Sequence, residues 1–231
     1  MRTVLTILFS LSLTVIVAQS DCSTYFLFAE GATFEYSYYD KKDRLQATST
    51  QAIQEVSTDN GVLSALVTTS MTDDKGKETI NGEYTVECDE GTFKMDMSRM
   101  IPQESMAALG GGEAEMEMSG DGFRLPENLS VGEELPDSKN TISVDAGVMN
   151  MNMTMELRDQ KVEAKETVTT PAGTFDCIRF SYTTYTKMAF VKNESRTVNW
   201  YAEGVGTVKS ESYDKRGKLA SKMVLTSYTG G

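Results

Sequence analysis

The sequence contains no histidine. That absence removes Ser-His-Asp and Cys-His nucleophiles and every histidine-bound zinc centre. Cysteine occurs only three times, as Cys22, Cys88 and Cys177. Their wide separation excludes a CxxC redox or zinc motif. An oxidising compartment allows them one disulfide with one thiol left over, and three pairings are open. Proline (4) and tryptophan (1) are scarce in the 231 residues. Long apolar runs are missing too, except at residues 4–17, and that run is shorter than the roughly 20 residues a membrane-spanning helix needs. It follows Arg2 and precedes the small residues Ala18 and Ser20, which is the pattern of a secretory signal over residues 1–20. Cys22 invites a lipoprotein reading, but Asp21 stands where such signals want a small uncharged residue. The expected mature protein is exported, periplasmic or extracellular, and soluble.

Positive charge is the minority. There are 22 basic against 34 acidic residues, a net charge of −12. Such a surface repels phosphate backbones and anionic membranes, so neither is an expected partner. The acidity itself needs no more than a solubility role. Acidic stretches at Asp73-Asp74 and Asp121 lack the DxDxDG ladder of a calcium loop. Gly204-Val205-Gly206 lacks the third glycine and the following helix of a dinucleotide site and reads as a bend in a curved strand. Carboxylate pairs of the glycosidase type are chemically open, but no motif supports one. The expectation is a non-catalytic chain with no cofactor.

One phrase is present twice. Tyr39-Asp40-Lys41-Lys42-Asp43-Arg44-Leu45 returns as Tyr213-Asp214-Lys215-Arg216-Gly217-Lys218-Leu219, with a weaker echo at Thr72-Asp73-Asp74-Lys75-Gly76-Lys77. Each copy separates two alternating stretches, as a charged hairpin turn does. Phe34, Tyr36 and Tyr38 alternate with polar neighbours before the first copy. Strands are expected at 48–56 and 62–71, through Tyr84, Val86 and Cys88, and at 93–97. A short helix is expected at 101–109, where proline leads and three glycines follow. An acidic crossover then runs to residue 140, followed by strands at 141–158, 161–169, 175–185, 197–201, 207–213 and 219–228. The fold class is therefore all-β, mainly antiparallel, with curved sheets or incomplete barrel halves that bury one face and protect their edges. The expected division is a signal peptide at 1–20, an N-terminal β half at 21–120 and a C-terminal β half at 121–231, or one continuous domain.

The segment from Glu166-Thr167-Val168-Thr169-Thr170-Pro171-Ala172-Gly173-Thr174-Phe175-Asp176-Cys177 through Trp200-Tyr201-Ala202-Glu203-Gly204-Val205-Gly206-Thr207-Val208-Lys209 carries a resemblance, closed by the second turn phrase and Val224-Leu225-Thr226. It resembles the TapB-like group of exported proteins, relatives of the DUF3108-like family common in Bacteroidota. Cys22, the entry from Phe28 to Tyr38, the first turn and Cys88 extend the likeness over nearly the whole mature chain. What the resemblance implies is an exported all-β protein with curved sheets. It implies no activity and transfers no catalytic residues.

The one pattern with chemical character of its own is Met149-Asn150-Met151-Asn152-Met153-Thr154-Met155-Glu156-Leu157. Methionine at alternate positions sets Met149, Met151, Met153 and Met155 on one face of a strand. Thioethers could hold Cu(I), but neighbours on one strand face lie roughly 6–7 Å apart, too far for one ion. An apolar core, or an adaptable wall of a ligand groove, is the better use of that face. Trp200 and Tyr201 must face opposite sides of their strand, which leaves Trp200 as a candidate wall residue or anchor. The leading functional reading is a concave sheet face, lined by these methionines and Trp200, that holds an apolar or lipid-like molecule. The alternative is a structural or envelope-associated interaction module, and a weaker one is Cu(I) binding.

Overall fold

The computed structural model describes residues 25–96, 115–126, 129–145, 150–188 and 190–230. The expected signal at 1–20, Cys22, the helix at 101–109 and Met149 lie outside them. The described strands are β1 (Thr33–Asp40), β2 (Leu45–Asp59), β3 (Val62–Asp73), β4 (Glu78–Asp89), β5 (Thr92–Asp96), β6 (Glu115–Gly120), β7 (Phe123–Arg124), β8 (Glu134–Leu135), β9 (Ser138–Asp145), β10 (Asn150–Thr170), β11 (Gly173–Met188), β12 (Val191–Ala202), β13 (Gly206–Asp214) and β14 (Leu219–Thr229). Every pairing is antiparallel, and the strands join one sheet in the order β6-β9-β10-β11-β12-β13-β14-β1-β2-β3-β4-β5-β7, with β8 added beside β10.

The sheet curls until its two edges meet. β6 lies at one edge and β7 at the other, yet only Asp121 and Gly122 separate them in the chain. Among the described residues no ladder joins the edges, so the sheet stays unclosed; a side chain takes the ladder's place. The Gly122 N–H donates to Asn140 Oδ1 at 2.9 Å, and Asn140 Nδ2 donates to the Gly122 carbonyl at 3.4 Å. Asp121 N–H donates to the Lys139 carbonyl at 3.0 Å. Gly122 has φ +70°, and a Cβ there would sit 2.4 Å from the Phe93 carbonyl oxygen. Only glycine lets the backbones approach this closely.

Curvature is supplied by register shifts at Glu35/Tyr36, Ile53/Glu55 and Arg158/Lys161, where one strand carries extra residues against its neighbour. The pairings correct two expectations. The strand expected at 141–158 is two strands, β9 and β10, which pair from Asn150↔Asp145 to Leu157↔Ser138. The break expected near residue 160 is instead a bulge inside β10, with Asp159 at φ +54°. A uniform alternation of apolar and polar residues cannot distinguish a long strand from a tight hairpin of two. The Gly204 region also differs, forming a turn between β12 and β13 closed by Val205 N–H to the Ala202 carbonyl at 3.2 Å.

The three Asp-Lys phrases have one structure. In each, the aspartate Oδ1 accepts the N–H groups two and four residues on: Lys42 and Arg44 for Asp40, Lys75 and Lys77 for Asp73, Arg216 and Lys218 for Asp214. All six distances fall between 2.8 and 3.0 Å. The fourth residue of each turn has positive φ: Asp43 (59°), Gly76 (79°) and Gly217 (72°). The repeated aspartate is therefore a turn cap, satisfying donors that the ladder cannot reach.

Candidate functional site

The inner face of the curl carries the apolar halves of the alternation. Two packed clusters lie there, one around Phe34, Ile53, Val67, Val86 and Leu225, the other around Phe180, Val162, Leu125 and Tyr201. Between them remains a cavity of about 570 Å³. That volume lies inside the roughly 300–1,000 Å³ typical of small-molecule sites. Its wall draws on both arms of the sheet. Phe34, Ile53, Val67 and Val86 come from β1–β4, and Ile142, Met155 and Leu157 come from β9 and β10. Tyr25, Phe26 and Leu27 run across the interior ahead of β1, and Phe26 and Phe28 pack on Phe93 with ring centroids 6.2 and 6.5 Å away.

Polar groups on this wall are few. The Tyr36 hydroxyl donates to the Thr207 carbonyl at 3.2 Å. The Tyr201 hydroxyl accepts from Asn199 Nδ2 at 2.8 Å. Burial keeps Tyr201 and Tyr182 protonated, raising both above the ordinary phenol range. Tyr84 is only 6% exposed and lines the cavity. Burial, then the neighbouring Tyr38 phenol, pushes its pKa up to about 12. It is a neutral donor at any physiological pH. The exposed wall residues are Lys94 and Met95, both on β5 beside the seam where the edges meet. Lys94 is the one charged wall residue among those described. The cavity thus reaches solvent beside a cation.

The methionine face divides along β10. Met155 lines the cavity, and Met153 is half-buried two residues before it. Met151 belongs to β10, where it pairs with Val144. Trp200 does not line the cavity; it is buried, at 6% exposure, within the cluster that contains Phe34 and Leu225. Its indole N–H donates to Glu166 Oε1 at 2.5 Å, and Lys209 Nζ lies 4.3 Å from its ring centre. Arg179 links Glu166 to Glu163, which accepts from Ser181, Arg179 and Arg196. Burial alone would raise Glu163, but the Ser181 hydroxyl and the two guanidiniums outweigh it and hold the carboxyl below its ordinary value. The residues that sequence reasoning passed over, Tyr84, Lys94 and Ile142, are spread over separate strands. Only the curl brings them to one wall.

A second concavity of about 570 Å³, with Glu166, Asp176 and Glu203 in its lining, lies at the β10–β11 hairpin beside Cys177. Cys177 is free and buried, and burial followed by the charges of Asp176 and Glu166 pushes its thiol up to about 11. A protonated buried thiol is a poor nucleophile. Cys88 is disulfide-bonded.

No curated protein matches the sequence. Two solved structures share the fold. One is described as an exported protein with a YmcC-like fold, from Bacteroides fragilis NCTC 9343; it is 20% identical, with a TM-score of 0.67 over 90% of this chain and 100% of that one. The other is described as a lipoprotein from Parabacteroides distasonis ATCC 8503; it is 22% identical, with a TM-score of 0.66 over 91% of this chain and 100% of that one. Among the described residues no helix is long and apolar enough to cross a membrane. The sequence matches the DUF3108-like family over residues 29–225, and the chain belongs to that family.

Proposed function

We propose that this protein is exported and non-catalytic, and that it holds one apolar, lipid-like molecule inside its curled sheet. The observation that carries this reading is the apolar cavity of about 570 Å³, whose wall includes the buried Tyr84 and, at its exposed side, Lys94. Protein interiors are ordinarily close-packed. A cavity of this size departs from that rule, and a bound molecule would fill it. An acyl chain matches the walls of Val67, Val86, Ile142 and Met155. A polar or anionic head matches Lys94 at the mouth. The binding energy would come from apolar burial at about 25 cal/mol per Å², with one or two polar contacts fixing orientation. The names of the two structural neighbours, an exported protein and a lipoprotein, agree with export.

Native mass spectrometry of the protein purified without detergent tests this. The expected spectrum shows an adduct in the lipid mass range that organic extraction removes. A spectrum of bare protein, unchanged after incubation with fatty acids, would weigh against the carrier reading.

A further inference from the structure

The three capped turns stand side by side. β14 pairs with β1 through Asp40↔Ser221, which places the β13–β14 turn next to the β1–β2 turn, and β2 pairs with β3 through Ala47↔Asp73, which places the β3–β4 turn next in line. One rim of the sheet therefore gathers Lys41, Lys42, Lys75, Lys77, Lys215 and Lys218, all exposed. None of these lysines enters an ion pair among the described residues. The rim acids Asp40, Asp43 and Asp214 are taken by Arg44, Lys222 and Arg216. Asp73 caps its own turn. Asp74, Glu78 and Glu194 are left to oppose the lysines.

The β11–β12 hairpin projects past this rim. The outermost pairing of β12 with β13 is Ser195↔Asp214, so Val191–Glu194 and the tip stand beyond the neighbouring turn. At that tip Phe190 is fully exposed, Val191 is 64% exposed and Met188 is 38% exposed. Lys187 and Lys192, both exposed, flank it. Leu45 and Ile80, also exposed, lie beside the β1–β2 and β3–β4 turns. Five of the seven large hydrophobic side chains exposed among the described residues thus lie at this one end. The opposite rim has the reverse character, with Asp59, Asp89, Glu90 and Glu203 at its turns.

We propose that this rim is a docking surface for an anionic lipid bilayer. In that arrangement the Phe190 tip enters the headgroup boundary while the eight lysines face the negative surface. An aromatic apolar tip flanked by cations is what an interface with a wet polar side and an apolar depth selects. Lysines near an anionic surface attract it additively, and the attraction falls within a Debye length. The protein's net charge of −12 gives the opposite expectation, but it averages over a molecule whose two ends differ in sign. At contact distance the local charge decides.

Co-sedimentation with vesicles tests the surface, independently of whether the cavity holds a ligand. Phosphatidylcholine vesicles, with and without phosphatidylglycerol, are the probes. The wild-type protein is expected to sediment with the phosphatidylglycerol vesicles at low salt, to be released by high salt, and to ignore phosphatidylcholine alone. Phe190→Ser with Val191→Ser, and separately Lys41→Glu with Lys42→Glu, should each weaken binding about tenfold or more; Lys165→Glu, away from this rim, should not. Thermal melts show whether each variant is folded. Failure to bind anionic vesicles overturns the proposal. So does binding that responds to the lysine variants but not to the tip variants, which assigns the rim to a soluble polyanion. Sedimentation of a vesicle-free dimer that Phe190→Ser dissolves would assign the tip to a second copy instead.

Discussion

Asn140 pins the seam between the sheet's edges by bonding both backbone groups of Gly122, its Oδ1 accepting at 2.9 Å and its Nδ2 donating at 3.4 Å. Asn140 is 2% exposed, and it also lines the cavity. One side chain therefore fixes the seam and forms part of the wall. Asn140→Ala strands the Gly122 N–H in a buried site and should cost about 1–3 kcal/mol. Gly122→Ala should cost more than about 1 kcal/mol, because its Cβ meets the Phe93 carbonyl and its φ is positive. Gly61→Ala serves as the control, since Gly61 has positive φ with nothing within 4 Å. Urea denaturation that ranks Gly61→Ala at or above Gly122→Ala in cost would contradict this role for the seam.

The turn caps carry a pH signature. The Arg44 side chain, then the Arg44 and Lys42 N–H groups, hold the Asp40 carboxyl at about 2 against an ordinary 3.8. The Lys218 N–H, with Arg216, lowers Asp214 in the same direction. A depressed carboxylate stabilises the fold above its unfolded pKa and stops doing so as pH falls through the folded one. Asp40→Asn should therefore lower the denaturation midpoint at neutral pH, with the difference from wild type shrinking between pH 3.8 and about 2. A gap that persists at the acid end would place the effect in the turn geometry and not in the charge.

Thiol chemistry separates the cysteines. Cys177, with its thiol pushed up to about 11, should resist Ellman's reagent in the folded protein and react as one thiol on unfolding. Cys88 should react only after reduction. Non-reducing peptide mapping is expected to find the Cys177 peptide unlinked. A Cys88–Cys177 peptide would contradict the burial of a free Cys177. Removing the disulfide should cost about 2–4 kcal/mol.

Tyr84→Phe preserves the cavity's shape and deletes a hydroxyl from its wall. Stability should change by less than about 1.5 kcal/mol, the scale of one hydrogen bond. Affinity for a fatty acid should fall several-fold. Lys94→Gln should weaken a fatty acid more than its uncharged alcohol, as isothermal titration can measure. Equal losses for both ligands would remove Lys94 from headgroup recognition.

The strands were legible because the alternation in Phe34-Tyr36-Tyr38 or Phe180-Tyr182 reports which face is buried. Turn positions were legible because Asp-Lys-x-Gly and Asn-Gly chemistry is local. Strand order was not, since the partnership of β1 with β14 and the meeting of β6 with β7 depend on curvature summed over the whole sheet. The candidate site divides the same way. Met155 stood out by its spacing within one strand, and it lines the cavity; Trp200 stood out by rarity, and it is packed in the core without lining the cavity. Lys41, Lys75 and Lys215 looked like isolated solvated turns, and their common rim exists only after the strands are paired.

The most direct test of the cavity's role is a titration of delipidated protein with a fluorescent fatty acid, comparing wild type with Thr184→Trp, which fills a half-buried position on the wall. Saturable uptake of one molecule per chain, abolished by Thr184→Trp in a protein that still melts cooperatively, is the predicted result. No saturable uptake by wild type, or equal uptake by the filled variant, would contradict the claim that this cavity is where the protein holds its ligand.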